Sequence, residues 1–218
     1  MDWTRAIDGY CERTDPSLWS EPVNAVTNLA FLAMAWMMWH RSQRQAGGRV
    51  LSVILAVIGV GSLLFHTFAE AWAGMADSLP ILVFTLVYIF LANRRFLGWP
   101  IWGAALGAGA YIPWTAALTP VFAALPFFTV SDYYWPLPVL IFAYGLYLRR
   151  ETPETGRNLI IGAALLSASL TFRSLDMTVC GSFPLGTHFM WHLLNALMLG
   201  WMIETWLRHG EREPASPI

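Results

Sequence analysis

Seven apolar runs, at about 22–40, 50–67, 78–93, 97–117, 134–149, 157–173 and 186–207, constrain this chain of 218 residues more than any other feature. Only 12% of its residues are charged, roughly half the ~25% usual in a soluble domain. Runs of this length and apolarity read as membrane helices, because in lipid a helix satisfies all its backbone polar groups internally. Some have short apolar centres, below the usual ~17–25 residues, so polar turns at their ends must complete them. The expected fold is therefore all-α, a seven-helix membrane bundle in a single domain over 1–218, with an acidic N-terminal segment 1–21 and a polar tail 208–218. Twelve tryptophans and seven tyrosines suit aromatic belts at two interfaces. Residues 118–133, apolar but broken by proline, read as a re-entrant or interfacial stretch.

Arginine placement sets the expected orientation. All thirteen basic residues are arginine. Ten of them fall in the connections between runs one and two, three and four, and five and six, or after run seven. Only Arg5, Arg13 and Arg173 fall on the other side. The positive-inside rule then places the N-terminus outside and the C-terminus in the cytoplasm. The N-terminus lacks the pattern of a cleaved signal peptide, so the first run is expected to remain as an anchor. With no lysine, a retinal Schiff base is excluded, and a net charge of −1 offers no argument for nucleic acid. The arginine-only composition points to a GC-rich bacterial genome, hence an inner membrane with the outer side periplasmic.

Three histidines, His66, His188 and His192, lie at run ends on the predicted outer side. His188 and His192, four apart on a helix, share one face. Imidazoles without cysteine resemble a catalytic zinc site whose fourth position is left for water. Ser62 precedes His66 by one turn, and Asp77 opens the third run at the same depth. A hydrolytic site needs a carboxylate to move a proton and a donor for the oxyanion, and Asp77 and Ser62 suit those roles. The bland readings stand beside these: Asp77 before Ser78-Leu79-Pro80 looks like a helix N-cap, and Ser62 like a hydroxyl bonded back to its own helix. His40 and His209, beside arginines, read as interfacial. Glu204 and Arg208 read as a surface ion pair.

The combination of Ser62-x-x-x-His66, Asp77 and His188-x-x-x-His192 resembles the alkaline ceramidase family. So do Tyr10-Cys11-Glu12, Trp19-x-Glu21-x-x-Asn24-x-x-Thr27-Asn28 and Arg173-x-x-Asp176-x-x-x-Cys180. The resemblance runs from residue 8 to about 207. It implies a zinc hydrolase (Zn2+ on His66, His188 and His192) with Asp77 as proton shuttle and Ser62 as oxyanion helper. The expected reaction cleaves the amide of a ceramide-like membrane lipid into a fatty acid and a sphingoid base, with no protein partner implied. It also implies a Cys11–Cys180 disulfide. Eukaryotic members carry a calcium site near the N-terminus. Here Glu12 and Glu21 match it, but Gly9 and Thr14 replace an aspartate and an asparagine. Either Asp8 or Asp15 completes a Ca2+ site, which needs six to eight oxygens, or the segment is simply solvated. Asn24 and Asn28 read as inter-helix hydrogen bonders. Asp176 reads as a partner orienting a histidine through its free nitrogen, or as paired with Arg173. Two alternatives share the histidine set: a lipid esterase of the GPI-remodelling type, and a receptor or haemolysin-like protein of the adiponectin-receptor branch, whose orientation is expected to be opposite.

Overall fold

The computed structural model describes residues 2–212, with no account of the Arg212 side chain. The C-terminal part of the expected polar tail, 213–218, lies outside them. The described residues form helices α1 (Pro22–Thr27), α2 (Leu29–Arg41), α3 (Ala46–Phe68), α4 (Ala71–Phe96), α5 (Ile101–Gly109), α6 (Tyr111–Ala123), α7 (Pro136–Leu148), α8 (Pro153–Val179) and α9 (His188–Arg212). They contain no strand beyond an isolated bridge between Ala6 and Glu70. Every apolar run of the sequence coincides with helix, the first with α1 and α2 and the fourth with α5 and α6. Three helices, α3, α4 and α8, are long and apolar enough to cross a membrane.

Local chemistry explains the boundaries. α1, α7 and α8 each begin with proline in the first turn, where a missing N–H costs nothing. α3 ends at Ala69, whose left-handed φ of 49° returns its N–H to the Phe65 carbonyl. The N-terminal segment then lies along this corner: Ile7 donates to Ala69, Ala71 to Arg5, and Trp72 to Trp3. A short 3-10 turn, Thr129–Ser131, precedes α7. The 118–133 stretch divides accordingly, its first part extending α6 and the rest forming turns, so it is not one continuous interfacial element.

The core is built by α2, α3, α4, α8 and α9 around Phe31, Leu55, Ile58, Leu170, Ile203 and Leu207. Outward faces are apolar too. On α3, Val50, Val53, Val57 and Val60 are all about half exposed at helical spacing. An apolar outer stripe of this kind is a liability in water and the normal surface of a bundle that meets lipid.

Two helices approach each other closely beside the histidines. Pro80 has no N–H, which frees the Ala76 carbonyl four residues earlier from its helical bond. Gly61 of α3 packs on that carbonyl, and a Cβ there would stand 2.0 Å from it. Only glycine permits this contact, which sets Ser62 of α3 against Asp77 of α4.

Candidate metal centre

His66 comes from the last turn of α3, and His188 and His192 from the first turns of α9. Their exposures are 1%, 1% and 0%. One ligand atom from each lies within 4.8 Å of the others, the one His/Cys/Asp/Glu grouping of this kind found among the described residues. Ring centroids stand 4.7 Å apart for His66–His192 and for His188–His192, and 5.1 Å for His66–His188.

Two outer hydrogen bonds decide where the lone pairs point. The Nδ1 of His66 lies 2.6 Å from the Glu21 carboxylate, which only accepts, so Nδ1 carries the proton. The Thr27 hydroxyl already donates to the Val23 and Asn24 carbonyls, so at 2.9 Å it accepts from the Nδ1 of His192. Both rings thereby present bare Nε2 lone pairs to each other, and these atoms are 3.1 Å apart. Two facing lone pairs repel, and a cation among them removes the repulsion. The buried Nδ1 of His188 also has no protein partner. The donor set thus fits a metal held by His66, His188 and His192, with a carboxylate and a hydroxyl fixing two of the rings from behind.

The N-terminal segment builds this outer layer. Tyr10 stacks on His188 with centroids 3.7 Å apart. Glu21 joins Arg13 at 2.6 Å and also accepts from the Asn24 amide. Burial alone would raise the Glu21 carboxyl, but the hydrogen bonds it accepts from His66, Arg13 and Asn24 hold it below the ordinary carboxylate range. The Glu12 carboxylate accepts the backbone N–H groups of Val23 and Asn24, capping α1 from eleven residues upstream. A disulfide joins Cys11 to Cys180 at the end of α8.

Several sequence expectations change here. Of the residues expected at a calcium site, Glu12 caps α1, Glu21 bonds to Arg13, His66 and Asn24, and Asp8 is exposed. Asp176 neither orients an imidazole nitrogen nor pairs with Arg173. Its Oδ1 accepts the backbone N–H of Thr187 and His188, and its Oδ2 that of Cys11. It fixes the start of α9 to the N-terminal segment. Gly186, with φ +63°, makes room for this, since a Cβ there would stand 2.1 Å from the Asp176 carboxylate. Asp77 is not an N-cap, because α4 begins at Ala71 with Glu70 in the capping position. Asn24 and Asn28 bond to Glu21 and back to the Asn24 carbonyl rather than between helices. His209 is buried against Thr155. Glu204 does pair with Arg208, and also with Arg41.

Ser62 is buried one turn before His66, its hydroxyl within hydrogen-bonding reach of Asp77. Asp77 is half-buried, close to His66 and Arg173, and lines a cavity of about 730 Å³. The supporting roles of Glu21 and Thr27 had a signal in the sequence, since both lie in the Trp19–Asn28 motif. Nothing in that motif says which ring each one holds.

No curated protein matches the chain. A family model described as Ceramidase matches residues 9–217, nearly its whole length. That family implies a hydrolase acting on an amide, with a lipid substrate and a membrane setting. Its span takes in the three histidines, Ser62, Asp77 and the N-terminal layer behind them, and the chain belongs to the ceramidase family.

Proposed function

We propose that this protein is a zinc-dependent lipid amidase that hydrolyses the amide of ceramide-like lipids to a fatty acid and a sphingoid base. The helices make seven passes as one membrane domain, α1–α2 and α5–α6 each serving as a single pass. The arginine distribution favours an outer N-terminus, a cytoplasmic C-terminus and a site facing the periplasm of a bacterial inner membrane. The observation that carries the reading is the pair of facing Nε2 atoms, fixed by Glu21 and Thr27, with His188 completing the set.

Zinc bound there supplies a Lewis acid that polarises a carbonyl and makes water a nucleophile near neutral pH. The protein does the rest. Asp77 accepts the proton of the attacking water and returns it to the departing nitrogen, so that the amine leaves neutral. Ser62 positions Asp77 and donates to the oxygen that becomes negative as the carbonyl carbon turns tetrahedral. Tyr10 holds His188 by stacking and closes one wall of the cavity.

The test is lipid turnover by purified wild-type protein and His66→Ala in detergent. Ceramides and ester-linked diacyl lipids are offered together, and products are read by mass spectrometry. Sphingoid base released by wild type alone is the expected result. Ester cleavage without amide cleavage would replace the amidase by an esterase, and metal-loaded protein inert towards both lipids would remove the hydrolase reading.

A further inference from the structure

The cavity beside Asp77 holds a cation for which the proposed hydrolysis has no use. Arg173, on α8, lines it together with Tyr10, Tyr133 and Tyr134, and Arg5 lies on its outer wall. The guanidinium Nη1 of Arg173 donates to the Val130 carbonyl at 2.7 Å and to the Ser131 hydroxyl at 2.7 Å. Its Cζ lies 5.5 Å from the Tyr134 ring centroid and 5.9 Å from that of Trp191. The Tyr10 hydroxyl sits against it. All these neighbours are neutral. Among the described residues, neither Arg173 nor Arg5 is in an ion pair with a carboxylate. Two carboxylates, Asp77 and Asp2, share the lining; Asp77 bonds to Ser62 and feels the charge of Arg173 without forming an ion pair with it. A cation partly withdrawn from water with no carboxylate in direct contact keeps N–H donors free, and an arriving anion that contacts them gains a charge-assisted bond.

The chamber also has an apolar neighbour. A second cavity of about 580 Å³ between α4, α6 and α7 shares Met75, Ser78, Tyr133 and Tyr134 with it, and its remaining wall is mostly aliphatic. Polar chamber and apolar groove thus adjoin along common side chains, the division expected for an amphiphile whose head and chain part company beside Asp77.

We infer that this chamber selects amide lipids with an anionic head group, a carboxylate or a phosphate, held by Arg173 with the hydroxyls of Tyr10 and Tyr133 while Arg5 draws it to the mouth. This rests on the amidase reading and narrows its substrate. Guanidinium suits both anions because its fork of N–H donors matches two oxygens at once. Arg173 is accordingly a specificity residue and takes no proton in the reaction.

The experiment compares kcat and KM of the full-length, metal-loaded protein in neutral detergent for ceramide, ceramide 1-phosphate and an N-acylglycine. Wild type is expected to favour at least one anionic lipid over ceramide by ten-fold or more in kcat/KM, mostly through KM, with the preference shrinking as salt rises. The phosphate and glycine arms tell the two anions apart. Arg173→Gln should collapse the ratio, and Arg173→Lys should restore part of it. Equal kcat/KM for neutral and anionic lipids in wild type overturns the inference, whether or not Arg173→Gln folds. So does an equal loss on all substrates in a folded Arg173→Gln, which would make Arg173 a brace for the loop at Val130.

Binding separates this inference from the amidase reading. Dodecyl phosphate should raise the Tm of wild type and not of Arg173→Gln. That result with no amide turnover would remove the amidase and keep the anion site. Ceramide turnover without any dodecyl phosphate effect would do the reverse.

Discussion

The carboxylate of Glu21 lies 2.6 Å from the Nδ1 of His66, so a residue of the N-terminal segment fixes the tautomer of a ring at the far end of α3. Removing such a partner typically lowers metal affinity by about 10–100-fold. Glu21→Gln should therefore weaken zinc binding to that extent, read by competition with a chromophoric chelator. It also leaves the buried Arg13 without its counter-charge, a loss of about 3–5 kcal/mol when a buried pair is broken. Unchanged zinc affinity would show that Glu21 serves Arg13 alone.

Each of His66→Ala, His188→Ala and His192→Ala should abolish stoichiometric metal, measured by elemental analysis of the purified protein, while membrane insertion persists. Chelation of wild type should have the same effect on activity, reversed by added zinc. A metal-free His192→Ala protein with full activity would end the metallohydrolase reading.

Asp77→Asn should keep the metal, because Asp77 is outside the histidine cluster, yet lose turnover by about 10²–10⁴-fold, the usual worth of a general acid–base group. Ser62→Ala should cost less than Asp77→Asn if it positions the carboxylate, and about 10²–10³-fold if its donation to the oxyanion dominates. Loss of metal from Asp77→Asn would recast the aspartate as part of the metal's support.

Gly61→Ala places a methyl group 2.0 Å from the Ala76 carbonyl, a backbone atom that cannot swing aside. The helices must separate, and Ser62 then moves away from Asp77. Turnover should fall together with Tm, whereas Gly9→Ala, whose Cβ meets nothing within 4 Å, should leave Tm unchanged. A Gly61→Ala protein as stable and active as wild type would mean that the α3–α4 contact is not needed for the site.

Cutting the Cys11–Cys180 bridge with paired serines should cost about 2–5 kcal/mol of stability, since it closes a loop of 169 residues. The same end of the N-terminal segment carries Tyr10, so His188 loses its stacking partner as the segment loosens. Zinc affinity should fall in parallel. Loss of stability with zinc affinity intact would assign the disulfide to folding alone.

The helical pattern, the membrane character and the three histidines were legible in the chain, because periodic apolarity and i, i+4 spacing are local properties. Single residues in the same stretches were misread when their partners lay far away. Asp77 before Ser78-Leu79-Pro80 looks like a cap, yet α4 starts nearly two turns earlier, at the corner where residues 3–7 pair with it. Asp176 looked like a ring partner and instead binds three backbone N–H groups from two distant segments.

By itself, the sequence determined an apolar all-helical chain, its ceramidase-type motifs and the three histidines that come together. Tertiary structure alone decided that Glu21 meets His66 and that Glu12 meets the start of α1. It also set Ser62 on Asp77 through the Gly61 contact and gave Arg173 a chamber to face. A carboxylate's role depends on which donors surround it, and in this chain those donors come from residues up to 165 positions away.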